Sequence, residues 1–138
     1  MKLSYEINAG APQVAVLSVE GRIDASNYLD LIKQARELFD SGTGYLLLNL
    51  EECDFLSSSG LFGLHSIALM AHEIQPPDPQ TGWGALNDMV NEDRTFKERF
   101  KIVNVQPNVL RTLNIAGFSS RFDVYPAMQD ALDAFKMA

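Results

Sequence analysis

Cysteine and positive charge are both scarce in this sequence. Its 138 residues include a single cysteine, Cys53, so the chain cannot form an intramolecular disulfide. The net charge of −7 disfavours nucleic-acid phosphates and anionic membrane surfaces as partners. The longest apolar run, residues 61–71, contains His65 and Ser66 and is too short to insert into a bilayer. Because no signal peptide is visible either, we expect a soluble cytoplasmic protein.

Motifs that carry catalysis or bind metal ions are also missing. Neither Ser58 nor Ser59 has the flanking glycines of a Gly-x-Ser-x-Gly nucleophile elbow. His65 and His72 are seven residues apart, which is too far for two ligands on one helix, and no acid is paired with either for a hydrolase triad. The segment "SGTG" at 41–44 lacks the lysine of a phosphate-binding loop. We therefore expect no enzymatic activity, no metal and no cofactor.

Along the chain, segments with the hydrophobic period of a strand alternate with segments that have the period of a helix. A hydrophobic content of 46% over 138 residues fits one globular domain spanning 1–138. Short apolar or alternating runs predict strands, and runs with the helical period predict helices. This order predicts an α/β fold in which helices pack on a mixed sheet of about 4–5 strands. The predicted strands are 2–7, 13–21, 45–50, 101–105 and 121–126, and the predicted helices are 24–42, 58–74, 85–100, 107–117 and 127–138.

Three serines and a glycine stand where the third strand gives way to the second helix, in "CDFLSSSGLFGL" at 53–64. A single serine at this position is explained as a helix cap, but Ser57, Ser58 and Ser59 exceed what one cap requires. Gly60 costs roughly 1 kcal/mol relative to alanine in a helix. The glycine therefore indicates either close approach by a partner or a tight strand-to-helix turn.

The second helix carries two apolar stripes rather than one. One stripe has the spacing of a core-facing surface, whereas Phe62, Leu69 and Met70 fall on the opposite side. A second stripe indicates a second packing partner, so these residues are candidates for contact with another protein. The alternative is that the segment 75–100 covers them, because it contains four large apolar residues: Trp83, Leu86, Met89 and Phe96.

Several segments together resemble one known family. "DFLSSSGLFGL" after "YLLLNL" resembles the STAS domain of the anti-sigma factor antagonists, "EGRIDASN" at 20–27 is similar to that family's first loop, and 105–135 is similar to its carboxyl-terminal third. The resemblance implies a STAS-like mixed sheet with helices packed mainly on one side. It also makes the residues at about 75–100 an atypical insertion, because the family usually has a short loop there.

The resemblance implies a phosphorylation switch. It puts Ser58 at the family's phosphorylated serine, with Ser57 where the family often has aspartate. The unmodified protein would bind an anti-sigma factor that is also a serine kinase of the GHKL type, and phosphorylation of Ser58 would abolish binding until a PP2C-type serine phosphatase reverses it. The residues expected to contact the partner are Asp24, Ser57, Ser58, Ser59, Gly60, Phe62 and Leu69.

The sequence leaves two other functions open. STAS domains also dock on membrane transporters, so an accessory subunit of a transporter is an alternative of another class. A nucleotide-binding or enzymatic module is a third, but nothing in the sequence indicates a lysine-lined pocket.

Overall fold

A five-stranded mixed sheet forms the centre of the molecule. The computed structural model describes residues 1–10, 12–78 and 97–136, and within these ranges the strands lie side by side in chain order. β1 is antiparallel to β2, and all later neighbours are parallel. The strands are β1 (Lys2–Asn8), β2 (Val14–Glu20), β3 (Tyr45–Glu52), β4 (Phe100–Val103) and β5 (Asp123–Tyr125). The helices are α1 (Tyr28–Asp40), α2 (Ser58–Ala71), α3 (Pro107–Ile115) and α4 (Met128–Lys136).

The two faces of the sheet carry cores of unequal size. Along β3, Leu46, Leu48 and Leu50 point into the larger core, which α1, α2 and α3 cover. Leu47 points the other way, into a smaller core that α4 closes with Phe135. This alternation follows from the two-residue period of a strand, and it explains why the first half of β3, residues 45–48, is apolar on both faces. The predicted α/β fold, with helices mainly on one side of a mixed sheet, is confirmed.

Helix α2 is buried on nearly all sides, as expected for a helix whose apolar residues surround it. On the side where the sequence placed an exposed stripe, the ring of Phe62 meets the ring of Tyr28 edge to face at 6.1 Å, at the start of α1. Phe62 is 0% exposed and Leu69 5% exposed, both in the larger core, and Met70 is partly buried against the same core. The expectation that Phe62 and Leu69 contact a partner is therefore wrong, because the chain's own core already encloses them.

Part of the sequence interpretation falls outside the described ranges. The predicted helix at 85–100 lies outside them, except for residues 97–100. So do four apolar residues of the 75–100 segment: Trp83, Leu86, Met89 and Phe96. Phe100 is not helical, because it is the first residue of β4. A single domain spanning 1–138 with an insertion at 75–100 accordingly stays a prediction. None of the helices in the described ranges has both the length and the apolar character that a membrane crossing needs.

The two histidines pack against or hydrogen-bond to other parts of the fold. His65 is buried, and its ring centroid lies 6.1 Å from that of Phe118. His72 closes the carboxyl end of α2, where its Nδ1 donates to the carbonyl of Ala68 at 2.9 Å and its Nε2 accepts from the backbone N–H of Arg99 at 3.4 Å. These bonds fasten the end of α2 to the residue before β4.

Candidate functional site

The candidate site lies at the carboxyl edge of the sheet, where the loops that follow β2 and β3 meet. Ile23, three residues after β2, donates its backbone N–H to the carbonyl of Phe55 at 2.9 Å and accepts at its own carbonyl from the N–H of Ser57 at 3.0 Å. These bonds add a short parallel bridge between Ile23 and Leu56. In open α/β sheets this edge is where ligands and partners usually bind.

The end of the loop that follows β4 and the first turn of α3 are tied to the same edge by two side-chain amides. Gln106 donates through Nε2 to the carbonyl of Glu51 at 2.8 Å, and Asn108 donates through Nδ2 to the carbonyl of Asp54. Hydrogen bonds therefore join the loop after β2 and the start of α3 to the end of β3 and the loop that follows it. The edge is held in place before any partner arrives.

The three junction serines occupy three different environments. Ser57 is the N-cap of α2, in an extended conformation, and its Oγ accepts from the backbone N–H of Gly60 at 3.2 Å. Ser59 is buried at 6% exposure. Ser58, the first residue of the helix, is exposed. Only Ser58 of the three is therefore open to solvent without already serving as the cap.

Gly60 is required by contacts inside the chain. A Cβ added to Gly60 would lie 2.4 Å from Cδ1 of Leu56, 3.1 Å from Cγ2 of Ile23 and 3.1 Å from the carbonyl oxygen of Ile23. Of the two explanations left open by the sequence, the tight strand-to-helix turn accounts for this glycine. Gly60 and Ser59 are both buried, so the expectation that they contact a partner directly is wrong.

Asp24 is held in a local network next to the bridge. Its Oδ1 accepts from the backbone N–H of Ser26 at 2.9 Å and from the hydroxyl of Ser26 at 2.5 Å. Its Oδ2 lies 3.2 Å from Nε of Arg22. The hydrogen bonds from Ser26, helped by the charge of Arg22, lower the pKa of the Asp24 carboxyl. Asp24 is therefore a carboxylate at neutral pH, partly exposed at the surface.

Sequence reasoning missed two residues of this surface, Phe55 and Arg22. Phe55 is 41% exposed, and the guanidinium carbon of Arg22 lies 4.6 Å from the centroid of its ring, within the range of a cation–π contact. The signal in the sequence was a large aromatic residue in a short loop between two buried elements. We call Arg22, Asp24, Phe55, Ser57 and Ser58, which lie on the two loops joined by the Ile23 bridge and at the start of α2, the Ser58 surface.

No protein-family model and no curated protein sequence matches the chain. Solved structures do match it over nearly its full length. An anti-sigma factor antagonist from Mycobacterium paratuberculosis is 23% identical, with a TM-score of 0.64, and the match covers 98% of this chain and 95% of that one. A putative anti-sigma factor antagonist from Thermotoga maritima is 15% identical, with a TM-score of 0.68 and coverage of 97% and 94%.

The anti-sigma factor antagonist SpoIIAA matches in two states. Its unphosphorylated form is 13% identical, with a TM-score of 0.65 and 98% coverage of both chains. Its phosphorylated form, from Bacillus, is 14% identical, with a TM-score of 0.51 and coverage of 94% of this chain and 97% of that one. The chain therefore has the α/β fold of the anti-sigma factor antagonists. The resemblance drawn from the sequence is confirmed at the level of the fold.

Proposed function

We propose that this protein is a binding protein switched by phosphorylation of Ser58 and has no catalytic activity of its own. The observation that carries the proposal is the sorting of the junction serines: Ser57 caps the helix, Ser59 is buried, and Ser58 stands exposed at the first position of α2. A kinase can reach the hydroxyl of Ser58 without unfolding the helix. The fold shared with SpoIIAA, a protein solved with and without phosphate, supports the same interpretation.

The unphosphorylated form binds its partner through the Ser58 surface. Phe55 is the exposed aromatic side chain of that surface, and aromatic residues are the usual anchors of protein interfaces. Asp24 and Arg22 flank it with opposite charges 3.2 Å apart, which gives the rim polar groups that orient a partner. The partner surface is thus smaller than the sequence indicated, because Phe62 and Leu69 belong to the core.

Phosphorylation of Ser58 prevents partner binding through the charge of the phosphate. A phosphate on Ser58 adds about −1.5 to −2 charges, and its position at the start of α2 favours the folded protein by about 0.3 to 2 kcal/mol. Burying the same dianion in an interface without a dedicated cation costs several kcal/mol. A change of about 5.5 kcal/mol turns an interface from 99% to 1% occupied. Arg22, the cation of the Ser58 surface, already contacts Asp24 and Phe55.

The partners proposed with this mechanism are an anti-sigma factor that is a serine kinase of the GHKL type and a serine phosphatase of the PP2C type, all acting in the cytoplasm. Release of the kinase's own target, a sigma factor or another regulator, is the output. If the phosphate prevents binding by its charge alone, the backbone of the Ser58-phosphorylated protein superimposes on that of the unmodified protein. A rearranged α2 in the phosphorylated protein would contradict this mechanism and would indicate that a change of shape abolishes binding.

Pull-down from a lysate of the source cells tests the proposal, with wild type, Ser58→Ala and Ser58→Asp as baits. Ser120→Asp is the matched control, because Ser120 is an exposed serine before β5, at the opposite edge of the sheet. We expect wild type, Ser58→Ala and the control to retain a soluble serine kinase and Ser58→Asp to lose it. After incubation with ATP, mass spectrometry should place phosphate on Ser58 of wild type. Equal capture of a membrane transporter by all four baits would favour the transporter-docking alternative instead.

A further inference from the structure

The outer edge of β1 is open. β1 is the first strand of the sheet, and within the described ranges β2 alone pairs with it. Its pairing with β2 runs without a bulge from Lys2 opposite Glu20 to Asn8 opposite Val14, and the strand contains no proline. An edge of this kind presents a row of unpaired backbone groups to other strands, and soluble proteins usually block it with bulges, prolines or charges; β1 has neither bulge nor proline, and its charges are one of each sign, Lys2 and Glu6.

One face of β1 is also apolar and uncovered. Leu3, Tyr5 and Ile7 point to the same side because strand residues alternate, and Leu3 packs against the larger core. Beyond Leu3 the cover stops, since Tyr5 is 56% exposed and Ile7 38% exposed. Within the described ranges the edge therefore combines backbone groups that pair with no other strand with two large apolar side chains that are only partly covered.

The sequence of β1 is complementary to itself. If two copies pair antiparallel about a two-fold axis through Tyr5, all seven residues are matched and each Tyr5 faces Tyr5 of the partner subunit. The apolar residues then meet on one face, with Leu3 opposite Ile7 of the partner subunit. On the other face Lys2 lies diagonal to Glu6 of the partner subunit, and the axis repeats this pair of opposite charges. Facing and diagonal pairs of this kind stabilise antiparallel strands.

We propose that the β1 edge is a homodimer interface, in which two copies join their sheets into one ten-stranded sheet. The interface lies on a strand edge that carries no residue of the Ser58 surface, so each copy keeps its partner-binding site. A contact made by one pair of strands is small compared with a standard interface. The dimer is therefore weak and depends on protein concentration.

Sedimentation equilibrium over a concentration series from micromolar to near millimolar tests the proposal. Wild type is expected to shift from monomer to dimer across the series. Tyr5→Lys places two like charges face to face on the axis and should weaken dimerisation at least about tenfold, and Ile7→Lys provides a second variant of the same face. Ile115→Lys is the control, because Ile115 is 80% exposed on α3, and it should leave dimerisation unchanged. Thermal unfolding of each variant verifies that it is folded.

A charge exchange tests the register. Glu6→Lys alone sets lysine diagonal to lysine, Lys2→Glu alone sets glutamate diagonal to glutamate, and each should weaken the homodimer by about twofold to fivefold. A mixture of the two variants restores opposite charges and should form heterodimers about as well as wild type forms homodimers. A wild type that stays monomeric throughout, or a dimer that Ile115→Lys disrupts and Tyr5→Lys does not, would overturn the proposal. Failure of the mixture to recover would overturn this register.

Discussion

Replacing Gly60 by alanine tests the close packing under the Ser58 surface. The new methyl group would lie 2.4 Å from Cδ1 of Leu56 and 3.1 Å from both Cγ2 and the carbonyl oxygen of Ile23. Leu56 and Ile23 are both buried, so neither side chain can swing into solvent. Overpacking of a core costs about 1–3 kcal/mol, and the better helix propensity of alanine returns at most about 1 kcal/mol. We expect Gly60→Ala to lower the free energy of unfolding by about 1 kcal/mol.

Gly63, one turn along the same helix, provides the matched control. A Cβ on Gly63 would meet its nearest neighbours, Cβ and the carbonyl oxygen of Tyr28, at 3.8 Å, which is ordinary van der Waals contact. Gly63→Ala therefore gains helix propensity without a clash and should raise the free energy of unfolding by about 0.5–1 kcal/mol. The same substitution at two neighbouring glycines is expected to act in opposite directions.

Urea denaturation followed by circular dichroism measures both variants. With a slope of about 1–3 kcal/mol per molar urea, each change of about 1 kcal/mol moves the midpoint by about 0.3–1 M, Gly60→Ala downward and Gly63→Ala upward. The slope itself should stay constant. If Gly60→Ala is as stable as Gly63→Ala, the contact between α2 and the Ile23 loop is looser than described and the glycine needs another explanation.

Three further outcomes follow from the burial of individual residues. Phe62→Ala should lower the free energy of unfolding by about 3–5 kcal/mol, whereas a residue reserved for partner contact would leave stability almost unchanged. Ser59→Asp should destabilise the protein by about 2 kcal/mol because it buries a carboxylate, while Ser58→Asp should be neutral or slightly stabilising at the helix start; a thermal melt that ranks the two alike would refute the sorting of the serines. Burial raises the pKa of the Cys53 thiol above its ordinary value of 9.0, so the unfolded chain loses this proton first and stability should fall as the pH rises above about 9. Urea midpoints between pH 8 and 10 should show this fall in wild type and a smaller one in Cys53→Ala.

The succession of strands and helices along the chain was predictable because local patterns determine it. The alternation in β1 and the continuous apolar run of β3 indicate how each strand is buried without reference to the rest of the chain. Helix α2 shows where this reasoning ends. Its second apolar stripe was recognised correctly, but the period cannot tell whether α1 or another protein covers Phe62, since that is decided by the packing of distant segments.

The sequence predicted where the candidate site lies but not which of its side chains are exposed. The three serines were recognisable as an unusual segment, and the resemblance indicated Ser58. The sequence alone cannot distinguish three adjacent serines, because they have the same chemistry. Only the fold shows that Ser59 is buried and that Ser57 is the helix cap. Phe55 and Arg22 were missed because they lie in irregular loops, where no period distinguishes an exposed side chain from a buried one. Their contact joins two loops that are far apart in the sequence.

The hydrogen bond between His72 and Arg99 brings together two residues that are far apart in the sequence. It closes the ends of the segment that connects α2 to β4, and an ion pair between Glu73 and Arg99 at 4.0 Å lies beside it. Both contacts lie at the amino edge of the sheet, across the molecule from Ser58. Since each doubling of a loop adds only about 0.6 kcal/mol of closure entropy, residues can be gained or lost between these two anchors at little thermodynamic cost. The edge that carries Ser58 and the edge where His72 meets Arg99 are therefore separate, so a change in chain length at the second edge need not disturb the first.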